Sequence, residues 1–386
     1  MSTEIIIVNW NNRRETLECL AAVESQLGDV SDAAITVVDN GSGDGSATAI
    51  ASRHPQAKLF ALPENRGFTR GLAAALAGSV ARNVIFLNND AVPEPGWLAA
   101  LVRAIDEAPA DVVSVGGKIV DPTGELIDFI GGMLTFDGHA FQNGFRYPVG
   151  SREEPGPGDE ILFACGGNMI SRRALLAELG AFDDDYFAYL EDVDFGWRAW
   201  IAGYRALFEP RATVRHASST TSNRLGAFER GVLFERNAMQ TAIKNYENLA
   251  EAGGALFFTY LHRLHHYATT RNPRAQELTR PALQSSATRR FRRLRRESLA
   301  AIDDPLTTMQ FRALDWILQN EQRLARKRHE VQQRRKRADR EIFERFPLHF
   351  VPTYPGDDAL MNSALFRLLR PQLPSVDRKL GDIIFP

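Results

Sequence analysis

The sequence predicts an α/β fold built on a mostly parallel β-sheet, followed by a mainly helical C-terminal region. Two observations support this prediction. In the first part of the chain, short apolar runs without polar alternation are separated by helical segments, which indicates a parallel sheet covered on both faces. From Gly226 onward the pattern is helical and ends in a Pro-punctuated tail. We place the main boundary near residue 223, which divides the chain into domains 1–223 and 224–386.

The individual elements follow from the same periodicities. Residues 117–160 are rich in Gly and Pro and are expected to form loops over a site, and regular structure resumes at 163–170. Apolar residues at helical spacing across 306–340 predict one amphipathic helix or a pair. The predicted strands of the first half are 5–8, 35–38, 58–62, 84–87 and 112–116, and the predicted helices are 16–26, 47–53, 71–80 and 95–108.

Composition narrows the class of protein. The chain has 386 residues, 44% of them apolar, which is enough for two or three domains. Its two cysteines, Cys19 and Cys165, lie far apart, which argues against a disulfide framework and for a reducing compartment. Residues 1–10 lack a basic leader pattern, and the longest apolar cluster is shorter than the roughly 18–20 residues that span a bilayer. We therefore expect a cytoplasmic protein, soluble or peripheral at the inner face of the plasma membrane.

Polar clusters follow three of the predicted strands. They are Asn9-Trp10-Asn11, the run Asp39–Ser46, and Asn88-Asn89-Asp90. Each cluster alone is typical of a turn or a helix N-cap. Because all three fall at the carboxyl edge of one predicted sheet, where open α/β sheets bind ligands, they indicate a binding site.

The loop after Asp39 differs from a dinucleotide-binding fingerprint. Its spacing is G-x-G-x-G, and it opens with a carboxylate that would repel a pyrophosphate. A carboxylate there suits a nucleobase or ribose donor instead. A diphosphate beside acidic groups requires a metal such as Mg²⁺ or Mn²⁺, and Asp90 is the candidate ligand.

A second acidic cluster, Glu191, Asp192 and Asp194, places three carboxylates within four residues. Such repulsion is tolerated where a proton or a cation is handled, although acids also decorate helix N-termini and Asp194 fits that role. A carboxylate base is what a displacement by a hydroxyl needs. His216 ends a strand-like run, where a structural role and a metal role both remain open.

Taken together, these segments resemble family 2 glycosyltransferases with a GT-A fold, a Rossmann-like nucleotide-diphospho-sugar transferase fold. The similarity is to the rhamnosyltransferase-like and galactofuranosyltransferase-like bacterial enzymes in particular, and it spans about residues 4–245. The segments that carry it are Ile5–Asn11, Val37–Ser46, Asn65–Phe68, Phe86–Trp97, Gly166–Met169, Tyr189–Arg198 with Gly203-Tyr204, Val214–His216, Arg236-Asn237 and Lys244-Asn245.

The resemblance implies a role for each segment. Asp192 matches the catalytic base and Glu191 its neighbour at the acceptor, while Asp90 and His216 match the metal ligands. Asn88 stands where the family has the first acid of Asp-x-Asp, which puts an obligatory metal in question. The implied donor-binding residues are Asn9, Asn11, Asp39, Asn40, Asn65, Gly67, Phe68, Asn88, Asn89, Asp90, Gly166, Gly167 and Asn168.

The function implied is that of an inverting, Mg²⁺- or Mn²⁺-assisted glycosyltransferase. It would move a sugar from a UDP- or dTDP-sugar to a hydroxyl of a glycan or lipid-linked acceptor in bacterial cell-surface polysaccharide synthesis. One alternative is a sugar nucleotidyltransferase, but residues 5–14 lack the Gly-rich loop with Arg and Lys that handles a triphosphate in that class. The other is a non-catalytic nucleotide-sugar-binding scaffold, against which the presence of Asp90, Glu191 and Asp192 argues.

The C-terminal region is basic. Residues 289–345 hold 17 Lys/Arg and 9 Asp/Glu, in a chain whose formal net charge is −2, and the clusters are Arg289–Arg296 and Arg334–Arg337. These charges suit either solvated helix faces and contacts with the acidic remainder of the chain, or an anionic membrane surface carrying a lipid-linked acceptor. Nucleic acid is disfavoured because aromatic residues are not interleaved with the basic runs. The oligomeric state stays open.

Overall fold

The computed structural model describes residues 2–217, 225–269 and 305–383. The chain divides into two compact units. The first comprises Met1–Met133, Ala140–Thr221 and Ile383–Pro386, and the second comprises Leu134–His139 and Ser222–Asp382. The boundary predicted near residue 223 lies outside the described residues.

The first unit contains a ten-stranded mixed sheet in the order β10-β12-β6-β11-β4-β1-β2-β3, with β5 paired to β12 and β7 to β6. Two two-stranded sheets, β8-β9 and β13-β14, complete the strand pairing of the described residues. The strands are β1 Thr3–Asn9, β2 Ala33–Asn40, β3 Lys58–Leu62, β4 Asn83–Asn88, β5 Ala91–Pro93, β6 Val112–Val120, β7 Ile127–Phe129, β8 Gly132–Leu134, β9 Ala140–Gln142, β10 Glu160–Ile161, β11 Asn168–Arg172, β12 Arg205–His216, β13 Leu348–Phe350 and β14 Ser375–Asp377.

The five strands predicted in the first 116 residues are confirmed, and β1 to β4 are mutually parallel. β6 and β12 form a second parallel pair. Between these two blocks, β11 runs antiparallel to both β4 and β6. The direction of β11 is set by its pairing with these two strands and is not encoded in its own five residues, so the sequence did not predict this insertion.

Thirteen α-helices lie within the described ranges. Helix α3 begins three residues before its predicted start because the Phe68 amide donates to the carbonyl of Phe187 (2.6 Å). The helical stretch predicted over 306–340 is a pair of helices that breaks at Asn320. The helices are α1 Arg13–Glu24, α2 Ser46–Arg53, α3 Phe68–Leu76, α4 Trp97–Glu107, α5 Arg173–Leu179, α6 Glu191–Ile201, α7 Ala227–Asn245, α8 Leu249–Thr269, α9 Pro305–Gln319, α10 Glu321–Gln333, α11 Asp339–Arg345, α12 Asp357–Met361 and α13 Ala364–Leu369.

Across the described residues, none of the helices is long and apolar enough to cross a membrane.

The register of the parallel strands brings the polar strand ends together. Asn9 at the end of β1 pairs with Asp39 on β2, and Val8 pairs with Asn88 on β4. The strand bodies before these residues are fully buried apolar runs. The three polar clusters therefore lie side by side at the carboxyl edge, as expected for parallel strands.

The second unit has a charged core. The ring of His139 lies between the carboxylates of Asp137 and Glu235, at 3.2 Å from each. Arg263 contacts Asp137 at 2.9 Å and Asp357 at 2.8 Å. All five side chains are buried. Burial opposes the charged form of His139, but the two carboxylates outweigh it and raise the pKa of the ring to about 10. Buried charges are costly unless they are paired, and each of these five charged side chains has a partner of opposite charge.

The basic residues of α10 and its end have a structural role in this unit. Arg328 donates to the carbonyls of Ile243 (2.9 Å) and Tyr246 (2.5 Å), and Arg335 donates to that of Asn245 (2.6 Å). These carbonyls belong to the last turn of α7 and the residue after it, which have no intrahelical partner and carry the negative end of the helix dipole. Part of the predicted basic surface is therefore a helix C-cap.

A comparable cap stabilises α4 in the first unit. The guanidinium of Arg172, at the end of β11, donates to the carbonyls of Ile105 (2.9 Å), Ala108 (2.7 Å), Pro109 (2.5 Å) and Val112 (2.8 Å). One cation thus satisfies four carbonyls at the end of the helix and in the turn that follows.

We expect Arg172→Ala to destabilise the first unit by about 2–3 kcal/mol, because charge-assisted hydrogen bonds are lost and partly buried carbonyls are left without donors. The measurement is the thermal midpoint by calorimetry. Arg82→Ala is the control: Arg82 is largely exposed and contacts Asp106 at 3.4 Å, so its loss should change stability by less than about 0.5 kcal/mol. Equal midpoints for the two variants would contradict the capping role.

Candidate active site

The ends of β1, β2 and β4 are joined by side-chain amides. Asn9 Nδ2 donates to Asp39 Oδ1 (2.7 Å), and Asn9 Oδ1 accepts from Asn89 Nδ2 (3.0 Å) and from the Thr16 hydroxyl (2.8 Å). Asn9, Asp39 and Asn89 are all buried. The structure brings these three predicted donor-site residues together, and their side chains hold the strand ends to one another.

The loop after β2 is anchored to the loop after β1. The second oxygen of Asp39, Oδ2, accepts from the Ser42 amide (3.2 Å). Asn11, in a left-handed conformation with φ 52°, accepts from the Gly43 amide through Oδ1 (2.7 Å). Its own amide donates to the Ser42 hydroxyl (2.9 Å). Asn11 and Asp39 thus shape one continuous rim.

A third segment joins this rim through Asn40. Asn40 Nδ2 donates to Asn65 Oδ1 and to the Gly67 carbonyl, both at 3.0 Å. Gly67 has φ +85°, and a Cβ there would lie 2.6 Å from the ring of Phe187. Only glycine fits this close approach. The segment Asn65–Phe68 is therefore held between β2 and the loop that precedes α6.

A histidine lies between two carboxylates at the edge formed by β5 and β12. His216 pairs with Ala91 in the strand register, which places it beside Asp90. His216 Nε2 lies 3.0 Å from Asp90 Oδ1 and 3.3 Å from Asn88 Nδ2, and Nδ1 lies 2.9 Å from Asp128 Oδ2. Burial disfavours the charged ring, but the hydrogen bonds to Asp128 and Asp90 prevail and raise the pKa of His216 to about 10.

These residues have the donor chemistry that a divalent cation needs. Asp90 Oδ1 and His216 Nε2 lie 3.0 Å apart, and this carboxylate oxygen and imidazole nitrogen are the atoms that would hold the ion. Asp128 accepts from Nδ1, which leaves Nε2 as the atom that faces Asp90. Within the described ranges, no three His, Cys, Asp or Glu side chains converge as a metal cluster, so the phosphate oxygens of a nucleotide would have to supply further ligands.

The predicted base lies at the first turn of α6. Asp192 Oδ2 accepts from the Gly166 amide (3.0 Å) and Oδ1 from the Val193 amide (2.8 Å). Burial raises the pKa of Asp192 despite these hydrogen bonds. Burial and the neighbouring Asp192 together raise the pKa of Glu191 to about 8. Burial thus raises the pKa of both neighbouring acids above the ordinary carboxyl values.

The backbone before α6 is in an uncommon conformation. Phe187, Tyr189 and Leu190 have φ of 64°, 72° and 64°, a left-handed region that large side chains rarely adopt. Such strain is often found at functional sites. By contrast, Asp194 forms a buried ion pair with Arg198 at 2.8 Å, which agrees with a structural role for that acid.

The segment before β11 contacts both Asp192 and the end of β4 that precedes Asp90. The Gly166 amide binds Asp192, and the Gly167 carbonyl accepts from the Asn88 amide (3.0 Å). A Cβ on Gly167 would lie 2.5 Å from Asn88 Nδ2, so a larger residue would displace the Asn88 side chain from His216. Asn168 is fully buried: its amide donates to the Lys118 and Ala212 carbonyls, and its oxygen accepts from the Trp97 indole. Asn168 thus supports the sheet.

Two residues at the site were not predicted from the sequence. One is Asp128, whose short apolar strand β7 gives no signal of function. The other is Cys165, noted only as a free thiol. The pKa of the Cys165 thiol is raised by burial and by the carboxylates of Asp192, Asp128 and Glu191. Cys165 therefore lies near the acids of α6 and near Asp128. Burial and Asp90 likewise raise the pKa of Cys19, whose sulfur lies 3.6 Å from the Asn88 carbonyl.

Comparison with known proteins relates this site to a family. Residues 4–180 match the model described as glycosyl transferase family 2. Over 210 residues the chain is 28% identical to the N-acetylglucosaminyl-diphospho-decaprenol L-rhamnosyltransferase of Mycobacterium tuberculosis, covering 49% of this chain and 68% of that protein. It is 30% identical over 148 residues to the O-antigen biosynthesis protein RfbC of Myxococcus xanthus, covering 36% of this chain and 11% of that protein.

Among solved structures, the chain is similar to the mannosyltransferase PcManGT of Pyrobaculum calidifontis, with a TM-score of 0.46 and 19% identity over 83% of this chain and 86% of the other. This distant similarity adds nothing to the sequence match. The family match, the mixed sheet with its parallel blocks and the polar strand ends agree with one another. Residues 4–180 are therefore a glycosyl transferase family 2 domain with a GT-A fold, and the protein is a glycosyltransferase.

Proposed function

We propose that the protein is an inverting, divalent-metal-assisted glycosyltransferase that uses a UDP- or dTDP-sugar and acts in bacterial cell-surface polysaccharide synthesis. The proposal rests on two clusters of carboxylates that are linked through Gly166 and Gly167. One cluster contains Asp192, the proposed general base, and the other contains Asp90 and His216. A transfer from a nucleotide-sugar needs a base for the acceptor and charge neutralisation for the leaving diphosphate. The two groups supply one function each.

Asp192 is the proposed base. Its carboxylate would take the proton of the acceptor hydroxyl as that oxygen attacks the anomeric carbon, and the bond to the nucleoside diphosphate would break on the opposite side. The raised pKa of Asp192 brings its basicity closer to that of a base working at neutral pH. Glu191, whose Oε2 has no hydrogen-bond partner among the described residues, is proposed to contact the acceptor.

Asp90 and His216 are proposed to hold Mg²⁺ or Mn²⁺. When bound, the ion would neutralise the diphosphate of the donor and stabilise it as a leaving group. Asp39, with Asn9, Asn11 and Asn40, is proposed to form the nucleotide side of the site, and its carboxylate suits the imide N–H of uracil or thymine. Gly67 and Phe68 would line the same pocket.

The acceptor is proposed to be a hydroxyl of a glycan or of a lipid-linked sugar. The rhamnosyltransferase relative is named for a decaprenol-linked diphospho-sugar, and the Myxococcus relative for O-antigen biosynthesis. A lipid-linked acceptor in turn requires the enzyme to work at a membrane surface, which the basic C-terminal region is suited to approach.

The metal role predicts the phenotype of Asp90→Ala. Binding of UDP-, dTDP- and GDP-sugars is measured by calorimetry with Mn²⁺ and with EDTA, alongside transfer or donor hydrolysis. The variant should nearly abolish turnover and weaken nucleotide binding only when Mn²⁺ is present, because Asp90 would hold the ion that neutralises the diphosphate. Equal wild-type activity in EDTA and in Mn²⁺ would refute the metal role.

The base role predicts a different phenotype for Asp192→Asn. Donor affinity should be nearly unchanged while the rate falls about 10²–10⁴-fold, the usual contribution of a positioned base. Glu191→Gln should chiefly raise the acceptor KM. In the wild type, kcat/KM should fall on acidification at a pH above the ordinary aspartate value of about 3.9, because only the ionised base is active and burial raises its pKa. Wild-type turnover by Asp192→Asn, or a product that retains the donor's anomeric configuration, would exclude this role.

The membrane role predicts salt-sensitive binding to vesicles that contain phosphatidylglycerol. The six arginines of Arg289–Arg296 lie outside the described residues, and each surface cation can contribute up to about 1 kcal/mol near an anionic membrane. Replacing all six by glutamine should abolish co-sedimentation and activity on a lipid-linked acceptor but spare a soluble acceptor.

The matched control for the vesicle experiment is Arg328→Gln with Arg335→Gln. These arginines cap α7, so their loss should lower the thermal midpoint and leave vesicle binding intact. If the wild type does not bind anionic vesicles at low salt, the membrane role is wrong. A change of oligomeric mass in the six-arginine variant, seen by light scattering, would instead assign those charges to a protein interface.

A further inference from the structure

Asp128 is a buried carboxylate whose two oxygens both have defined partners. Its Oδ2 lies 2.9 Å from His216 Nδ1, and its Oδ1 accepts from Gln142 Nε2 at 2.9 Å. The residue is 5% exposed. A charge at this depth is costly unless it is paired and hydrogen-bonded, and these contacts meet that requirement.

The sheet brings Asp128 to His216 from a distant part of the sequence. β6 lies between β7 and β12 at this level, because Ile119 pairs with Phe129 on one side and with Val214 on the other. Asp128 and His216 are therefore presented near the same end of β6, 88 residues apart in the chain. The contact is set by strand register, which makes it a fixed feature of the site.

Gln142 and His216 both donate hydrogen bonds to the carboxylate of Asp128. Gln142 is neutral and can donate to Asp128, so its amide fixes the carboxylate without competing for the histidine proton. Asp128 then accepts the proton of Nδ1, and the opposite nitrogen, Nε2, faces Asp90 at 3.0 Å. A histidine that binds a metal through one nitrogen usually donates from the other to a carboxylate or carbonyl, which fixes its ring and its tautomer.

We infer that Asp128, held by Gln142, is a positioning residue that fixes the His216 ring with its proton on Nδ1 and so presents Nε2 to the divalent cation of a nucleoside diphosphate complex. The inference rests on the proposed metal role of Asp90 and His216. Without Asp128, the ring can rotate or carry its proton on the nitrogen that faces Asp90, and the ion loses a ligand.

The test is the affinity for Mn²⁺, measured by electron paramagnetic resonance in the presence of UDP. Asp128→Ala should weaken Mn²⁺ binding about 10–100-fold, the usual effect of removing a carboxylate behind a metal-binding histidine. Asp128→Asn should lose less, because its amide oxygen can still accept from Nδ1. Asp111→Ala is the control: it removes an aspartate paired with Arg205 at 2.7 Å in the same unit, so it should leave Mn²⁺ affinity unchanged.

A second measurement separates positioning from a general loss of structure. In the Mg²⁺–UDP complex, ¹⁵N spectra of labelled histidine should show the His216 proton on Nδ1 in the wild type and lose that signal in Asp128→Ala, with the resonance assigned by His216→Ala. If Asp128→Ala lowers the thermal midpoint but binds Mn²⁺ as the wild type does, Asp128 has a structural role only and the inference is wrong.

The outcomes distinguish this inference from the proposed function. If wild-type protein with UDP binds no Mn²⁺, the metal role falls, and the inference with it. If Asp90→Ala and His216→Ala weaken Mn²⁺ binding while Asp128→Ala does not, the metal role stands and the inference alone is overturned.

Discussion

The contact of one imidazole ring with two carboxylates organises the edge of the sheet. Asp90 lies in the turn between β4 and β5 and Asp128 lies on β7, and the two carboxylates would repel each other if buried together without a cation. His216 lies between them, within 3.0 Å of each, and its positive charge offsets the cost of burying the two carboxylates. The pairing of β5, β6, β7 and β12 brings these side chains together, so strand pairing also determines the electrostatics of this edge.

The other acids at the same edge are accommodated by different means. Asp39 is surrounded by an amide side chain and a backbone N–H, which hydrogen-bond a carboxylate without neutralising it. Within the described ranges, no cation of this kind pairs with Glu191 or Asp192, and burial raises the pKa of both. The carboxylates of this edge therefore differ in their surroundings: Asp39 lies among uncharged donors, Asp90 lies beside His216, and Asp192 lies beside another acid. These surroundings underlie the separate roles proposed for the three residues.

Much of this edge could be predicted from the sequence because strand order and local chemistry coincide there. Asn9, Asp39 and Asn88 each end an apolar run, and parallel strands must bring such ends together. Asp128 could not be predicted, since its place depends on how β7 pairs with β6 after the turn formed by residues 121–126. Asn168 follows a glycine pair that resembles a donor loop, yet its side chain is bound by Trp97 and two carbonyls.

The same distinction applies to the C-terminal region. The basic run around Arg335 has the composition of a solvated or membrane-facing surface. Its function as a cap depends on carbonyls about 90 residues earlier in the chain, and a contact over that distance cannot be predicted from composition. Similarly, the direction of β11 is decided by its pairing with β4 and β6, and its five residues, only two of them apolar, do not encode it.

The two cysteines have a practical consequence. Burial and nearby carboxylates raise the pKa of both thiols, so neither is appreciably ionised at neutral pH. The thiolate is the form that reacts with alkylating agents and oxidants. A cysteine introduced at an exposed position would therefore react with a maleimide dye or spin label faster than Cys19 or Cys165, which lets the label be placed in the native sequence.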